Sequence, residues 1–167
     1  MRDHIDFVVS QWDNAMPDLD TASMRIFGRM LRLMKHLAKA RSEALAPFGF
    51  QEGEFDVLAT LRRAGSPYRL SPTQLYQSLL VTSGAMTNRL SRLEQQHLIE
   101  RVAAPDDKRS MLVGLTPHGQ MQIELALRAH TAIQEAVLAP LAASERAELE
   151  GLLKTLLLAF PGEATAE

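Results

Sequence analysis

Between Ser71 and Thr116 two short amphipathic segments follow one another almost without a gap, and two β-prone runs flanking a charged loop come directly after them. Few packed arrangements accept that order. Ser71-Pro72-Thr73-Gln74 supplies a capping serine, a proline at the first helical position and a glutamine at the third, so a helix opens there. Leu75 and Leu79 give it a buried side. A break at Leu80-Val81 leads to Thr82 or Ser83, a second capping candidate. Met86, Leu90 and Leu93 then recur at i, i+4 and i+7, predicting a helix that runs to about Gln96. Two short helices joined by a tight turn make a helix-turn-helix. Residues 98–102 and 111–115 are β-prone, and the polar loop 103–110 between them carries Pro105, so the pair reads as a hairpin with a charged tip. A hairpin placed there is a wing.

The rest of the chain is patterned for helices. Ile5, Val8, Val9 and Trp12 predict a short amphipathic helix, broken by Pro17 and the acidic residues 18–20. A long helix follows, with Ile26, Phe27, Met30, Leu31, Met34 and Leu37 on one face, stopping near Ala46-Pro47. Residues 53–63 form another, ended by Gly65-Ser66-Pro67. Thr116-Pro117 opens a helix to about Ala139. The last begins near Ser144, and its stripe of Leu149, Leu152, Leu153, Leu156, Leu157 and Phe160 is wider than one lobe can easily bury, which points to a partner subunit, the alternative being a core helix within one chain. Met24, Met30 and Met34 read as core filler. The expected fold is mainly α with a small β-hairpin wing: an extra N-terminal helix (1–16), a helical dimerisation region (17–52 and 117–162) and a winged helix-turn-helix lobe (53–116).

Charge distribution is more informative than its total. The net charge is −2, yet residues 57–93 carry five arginines and no acid, while residues 117–167 carry −4. One basic segment on an acidic body suggests a nucleic-acid face. The absence of cysteine excludes disulfides, thiolate zinc sites and cysteine redox sensing. His4, His36, His97, His118 and His130 show no ligand spacing, so neither metal nor cofactor is expected, and His97 is read as a partner of its helix's C-terminal dipole. No glycine-rich phosphate loop, carboxylate pair or nucleophile elbow points to an enzyme. No apolar run reaches a membrane span and the first ten residues do not resemble a signal peptide, so a cytoplasmic protein without a membrane partner is expected.

On a helical wheel Met86, Leu90 and Leu93 face inward, while Gly84, Thr87, Asn88, Ser91 and Gln95 face away. Small and amide side chains there suit a major groove, with Ser83 beside them and Arg92 at the edge, placed to meet phosphate. Ser71, Thr73 and Gln74 are further candidates for phosphate contact at a helix N-terminus. Arg89 flanks the buried side and needs an anionic partner there. Asp56, set among Phe55, Val57 and Leu58, should be partly buried too.

Residues 53–119 resemble the MarR family of winged helix-turn-helix regulators. Asp107-Lys108-Arg109-Ser110-Met111-Leu112-Val113-Gly114-Leu115-Thr116 is similar to the family's wing signature. Trp12, residues 17–20, 53–58, 61–63, 67–70 and 83–90 resemble its PecS-like, urate-responsive branch. The resemblance implies a homodimer on a palindromic duplex site, released by a small aromatic anion such as urate. It implies that Arg109, with Lys108 beside it, enters the minor groove, where narrow A/T-rich stretches attract arginine. Asp107 would orient the wing or form its turn. It also makes Asp56 and Arg89 a pair linking sensor pocket to recognition helix, Arg101 the ligand anchor, and Trp12 a ligand contact through its indole. The rival readings are an enzyme, a winged helix that binds protein, and a family member answering phenolic or other aromatic acids.

Overall fold

The computed structural model describes residues 1–51, 53–79, 83–104 and 110–160, with the backbone alone at 83–85. Helix α1 (His4–Ala15) opens with a reciprocal cap: Asp3 accepts from the Ile5 and Asp6 N–H groups, and Asp6 accepts from the Asp3 N–H. Its buried residues, Ile5 and Val9, lie toward α2 (Ala22–Leu45), where Gly28 leaves room for the Ile5 side chain. Arg29 on α2 reaches both capping carboxylates, at 2.8 and 2.6 Å, which pins the two helices together. A single 3-10 turn over Ala46–Phe48 and left-handed Gly49 and Gly53 then turn the chain into α3 (Glu54–Arg63).

The winged lobe follows the expected order. Strand β1 (Arg69–Leu70) precedes α4 (Pro72–Leu79) and α5 (Ser83–Gln95), which is followed by β2 (Ile99–Ala103) and β3 (Met111–Leu115). The sheet is antiparallel in the order β1-β3-β2, with Arg69 opposite Gly114 and Ile99 opposite Leu115. The third strand, β1, was not expected, because two residues are too few to show a period. Helix α6 (Pro117–Leu138) is capped by Thr116, whose hydroxyl accepts from the Gly119 N–H at 2.9 Å and donates to the His97 carbonyl at 2.7 Å. Helix α7 (Ala143–Leu158) starts before the expected Ser144: Glu145 caps the Ala142 N–H at 2.7 Å. The acid three residues on outweighs the serine as a start signal.

One core serves the lobe. Val57, Leu58 and Leu61 of α3, Leu75 of α4, Met86, Leu90 and Leu93 of α5, Val113 of β3, and Ile123 and Ala126 of α6 pack into a single cluster. The remaining helices are differently placed. Among the described residues α2 buries only Leu45 of its own apolar set, and α7 buries none. Ile26, Phe27, Leu31, Leu152, Leu156, Leu157 and Phe160 lie exposed, as does Met34, which is therefore not the core filler expected of it.

His97 ends α5 in a left-handed conformation (φ 55°). Its N–H donates to the Glu94 carbonyl, and the Leu98 N–H donates to the Leu93 carbonyl, so the last carbonyls of the helix are satisfied by a Schellman turn.

Candidate nucleic-acid interface and ligand pocket

Helix α5 presents two faces. Met86, Leu90 and Leu93 are buried, whereas Thr87, Asn88 and Gln95 are exposed and Ser91 is half-buried. Ser83 and Gly84 form its first turn. Ser71 and Gln74 cap each other at the start of α4, the Gln74 N–H to Ser71 Oγ at 3.2 Å and the Ser71 N–H to Gln74 Oε1 at 2.8 Å, and Thr73 beside them is exposed. Asp107, Lys108 and Arg109 lie outside the described residues.

Arg92 does more than sit at the edge of this face. Its Nε donates to Glu54 Oε1 at 2.8 Å, and Glu54, at 1% exposure, is the most deeply buried carboxylate described. The other oxygen of Glu54 accepts the Gln51 N–H at 2.8 Å. A buried carboxylate needs both. The recognition helix is therefore tied through one arginine to the first turn of α3. Glu54 was missed in the sequence. Local spacing held no signal for it: α3 is capped by Gly53, and Glu54 is its first residue.

On the other side of Gly53 and Glu54 a pocket of about 680 Å³ opens between α2, α3 and α5. Leu45, Phe50 and Phe55 supply apolar lining; Arg41, Asp56 and Arg89 supply the charge. The structure brings Asp56 and Arg89 into one pocket but does not pair them. Asp56 Oδ1 accepts from Arg41 at 2.7 Å instead, and Arg41 also lies over the Phe55 ring, 5.1 Å from its centroid. The expected Asp56–Arg89 pair is corrected by tertiary packing: the last turns of α2 set a second cation nearer the carboxylate. Arg89 lies across Gly53, at a place where any Cβ would collide with its guanidinium. Gly53 is thus required for its φ of 78°, and a Cβ there would push the end of the Arg89 side chain aside. With two guanidiniums and one carboxylate, the pocket carries a net positive charge suited to an anion.

Trp12 and Arg101 are not among the residues lining this pocket. Trp12 is 40% exposed on α1, and Arg101, on the outer side of β2, donates to Glu94 at 3.1 Å. His130 of α6 packs its ring 5.1 Å from that of Phe55, and its buried Nδ1 has no hydrogen-bond partner among the described residues. Burial, and then the Arg41 charge, holds its pKa below the usual histidine value, against a smaller opposing pull from Asp56. Among the described residues no cluster of three His, Asp or Glu could hold a metal, and no helix is long and apolar enough to cross a membrane.

Comparison with known proteins agrees with this architecture. Residues 48–110 match the sequence profile of the MarR family. The chain is 34% identical over 146 residues to the HTH-type transcriptional regulator PecS of Dickeya dadantii, covering 87% of this chain and 88% of that protein. It is 38% identical to the multiple antibiotic resistance protein MarR of Salmonella typhimurium, over 68% of this chain and 77% of that one. Among solved structures, a mutant of Escherichia coli MarR complexed with operator DNA superposes with a TM-score of 0.66 at 29% identity, covering 87% of this chain and 97% of that one. On its sequence, its three-stranded winged lobe and these relatives, the chain belongs to the MarR family of winged helix-turn-helix transcriptional regulators.

Proposed function

We propose that this chain is a transcriptional regulator, acting as a repressor, that binds a palindromic duplex operator as a homodimer and lets go when a small aromatic anion, urate foremost, enters the pocket between α2, α3 and α5. The observation that carries the DNA-binding part is the two-faced α5: its apolar side is locked into the core while Thr87 and Asn88 point outward on a helix followed by a hairpin. The operator complex of E. coli MarR, a relative with the same fold, supports it. In this reading Ser83, Gly84, Thr87, Asn88 and Ser91 meet base edges or phosphates, Ser71, Thr73 and Gln74 meet the backbone, and Lys108 and Arg109 follow the wing. The exposed apolar residues of α2 and α7 support the dimer.

For the ligand, the pocket supports an anion held by Arg89 and competing with Asp56 for Arg41. Asp56 is displaced, and the segment around Gly53 shifts with it. Glu54 lies in that same turn and holds Arg92, so the strain reaches the recognition helix. The ligand must favour the shifted state by a few kcal/mol to empty the operator. Fluorescence anisotropy on a labelled operator, with urate and a phenolic acid titrated in parallel, tests this reading. Release by urate that weakens in Asp56→Asn and Arg89→Ala is the expected result. Unchanged release in Asp56→Asn would overturn the pocket mechanism. Release by the phenolic acid alone would assign the other ligand class. Quenching of Trp12, the single tryptophan, reports whether that residue takes part.

A further inference from the structure

We propose that a second anion site, distinct from the α2–α3–α5 pocket, lies between the C-terminal end of α3 and the middle of α6, and that it takes a small organic dianion, a phosphate monoester or a dicarboxylate. The depression there measures about 560 Å³ and is lined by Ala59, Arg62 and Arg63 of α3 and Glu124, Leu127 and Arg128 of α6. Three guanidiniums and one carboxylate share its lining.

The arrangement is specific in two ways. First, Arg62 is held in place. Its Nε donates to Glu124 Oε1 at 2.8 Å, its guanidinium lies over the Tyr68 ring at 4.8 Å, and Gln120 donates to the same Glu124 oxygen at 3.1 Å. These contacts use the Nε edge and the flat face, and among the described residues no hydrogen bond occupies the terminal nitrogens, which keep their donors for an acceptor. The hydrogen bonds from Gln120 and Arg62, with the nearby Arg128 charge, hold the Glu124 carboxyl below its usual range, so it stays ionised and keeps Arg62 fixed.

Second, the charge is unbalanced where the sequence could have balanced it. Arg128 is the one Lys or Arg on α6, in a stretch of chain that is otherwise acidic. The fold sets it opposite Arg62 and Arg63. Neither Arg63 nor Arg128 has a carboxylate within ion-pair distance among the described residues. Three like charges and one carboxylate leave a local charge of +2, which a dianion neutralises and a monoanion does not. Arginine forks match both carboxylate and phosphate oxygens, while Ala59 and Leu127 provide an apolar floor for a short carbon chain. The site's lining comes from α3 and α6 and includes none of the candidate DNA-contacting residues, so a free small molecule is favoured over the DNA backbone. Asp56, Ala59 and Arg63 follow one another at helical spacing along one side of α3, so an occupant here bears on the same helix that lines the first pocket.

Isothermal titration of the full-length protein at fixed ionic strength, with succinate, glycerol 2-phosphate and acetate as probes, decides the matter. Saturable binding of at least one dianion and none of acetate is expected. The double variant Arg63→Met/Arg128→Met, at two exposed positions, should keep its thermal unfolding midpoint and lose dianion affinity by about tenfold or more, the equivalent of one charge-assisted hydrogen bond. Arg89→Ala, which alters the first pocket, should retain that affinity. Absence of saturable binding for both dianions in the low millimolar range overturns the proposal. So does binding that Arg89→Ala abolishes and the double variant does not. A double variant that loses operator affinity with a flatter salt dependence, without any dianion binding, would assign these arginines to phosphates of DNA instead.

Discussion

Removing either partner of the Glu54–Arg92 pair should have very unequal consequences, because one partner is sealed in and the other is not. Glu54 is 1% exposed, and its two oxygens are committed to Arg92 and to the Gln51 N–H; Arg92 is 41% exposed. Arg92→Ala leaves a carboxylate buried with one partner gone, a class of change that costs about 3–5 kcal/mol where both charges are buried. Solvent reaches Arg92, so the cost falls below that range, to about 2–3 kcal/mol. Glu54→Gln keeps the shape and the Gln51 hydrogen bond, and releases Arg92 to water, so about 1 kcal/mol is expected. The double variant should therefore be more stable than Arg92→Ala alone, with a coupling of about 1–2 kcal/mol. Urea unfolding followed by circular dichroism, at one fixed protein concentration, measures all four species. Additive effects, or a Glu54→Gln cost equal to that of Arg92→Ala, would refute the reasoning. The same variants separate a tether from a phosphate contact. If Arg92 only positions α5, operator affinity falls in both single variants while the slope of log affinity against log salt holds. If it also neutralises a phosphate, Arg92→Ala alone flattens that slope by about 0.9 per subunit, about 1.8 for the proposed homodimer.

Three other expectations follow from the same geometry. Gly53→Ala combines a left-handed φ with a collision against Arg89, and should destabilise the protein by about 1–3 kcal/mol in urea unfolding, partly relieved by adding Arg89→Ala. Leu156→Asp on the exposed α7 stripe should convert dimer to monomer in light scattering after gel filtration, whereas an unchanged mass would remove α7 from the interface. His130 has a folded pKa below its unfolded value, so the folded state binds fewer protons, and its contribution is complete above about pH 6.5 and lost as pH falls through the depressed value. Thermal unfolding between pH 7.5 and 5.5 should accordingly slope less in His130→Phe than in the parent; equal slopes would contradict the assignment.

The winged lobe was legible because its signals are local. Ser71 and Gln74 cap each other as their spacing requires, and the buried side of α5 is the side the helical period selects. Thr116-Pro117 marks the start of α6 for the same reason. What could not be read was long-range and polar. The wheel put Arg92 at the edge of α5, which fits a phosphate outside or a carboxylate inside equally well. Its partner, Glu54, is 38 residues earlier and becomes a neighbour only when α3 packs on α5. The sequence showed Arg89 to need an anionic partner and the family resemblance supplied Asp56, but α2 packing gave Asp56 to Arg41 instead. Met34 read as core filler because periodicity finds an apolar face without telling whether its cover is in the same chain.

The turn at His97 has a consequence for how such a protein can be switched. Its carbonyl accepts the Thr116 hydroxyl, the neighbouring Leu98 carbonyl accepts the Thr116 N–H at 3.1 Å, and Gly119 lies flush against that same carbonyl. The end of α5, the start of β2, the end of β3 and the start of α6 are thus fastened at one knot. A reading helix fastened this way cannot slide or roll by itself; it carries the hairpin and the root of α6 along. In the proposed homodimer, the freedom left would be the span between two such helices, measured against the roughly 34 Å repeat of the double helix. A ligand would then loosen the grip as one spreads a pair of callipers, with both points left sharp.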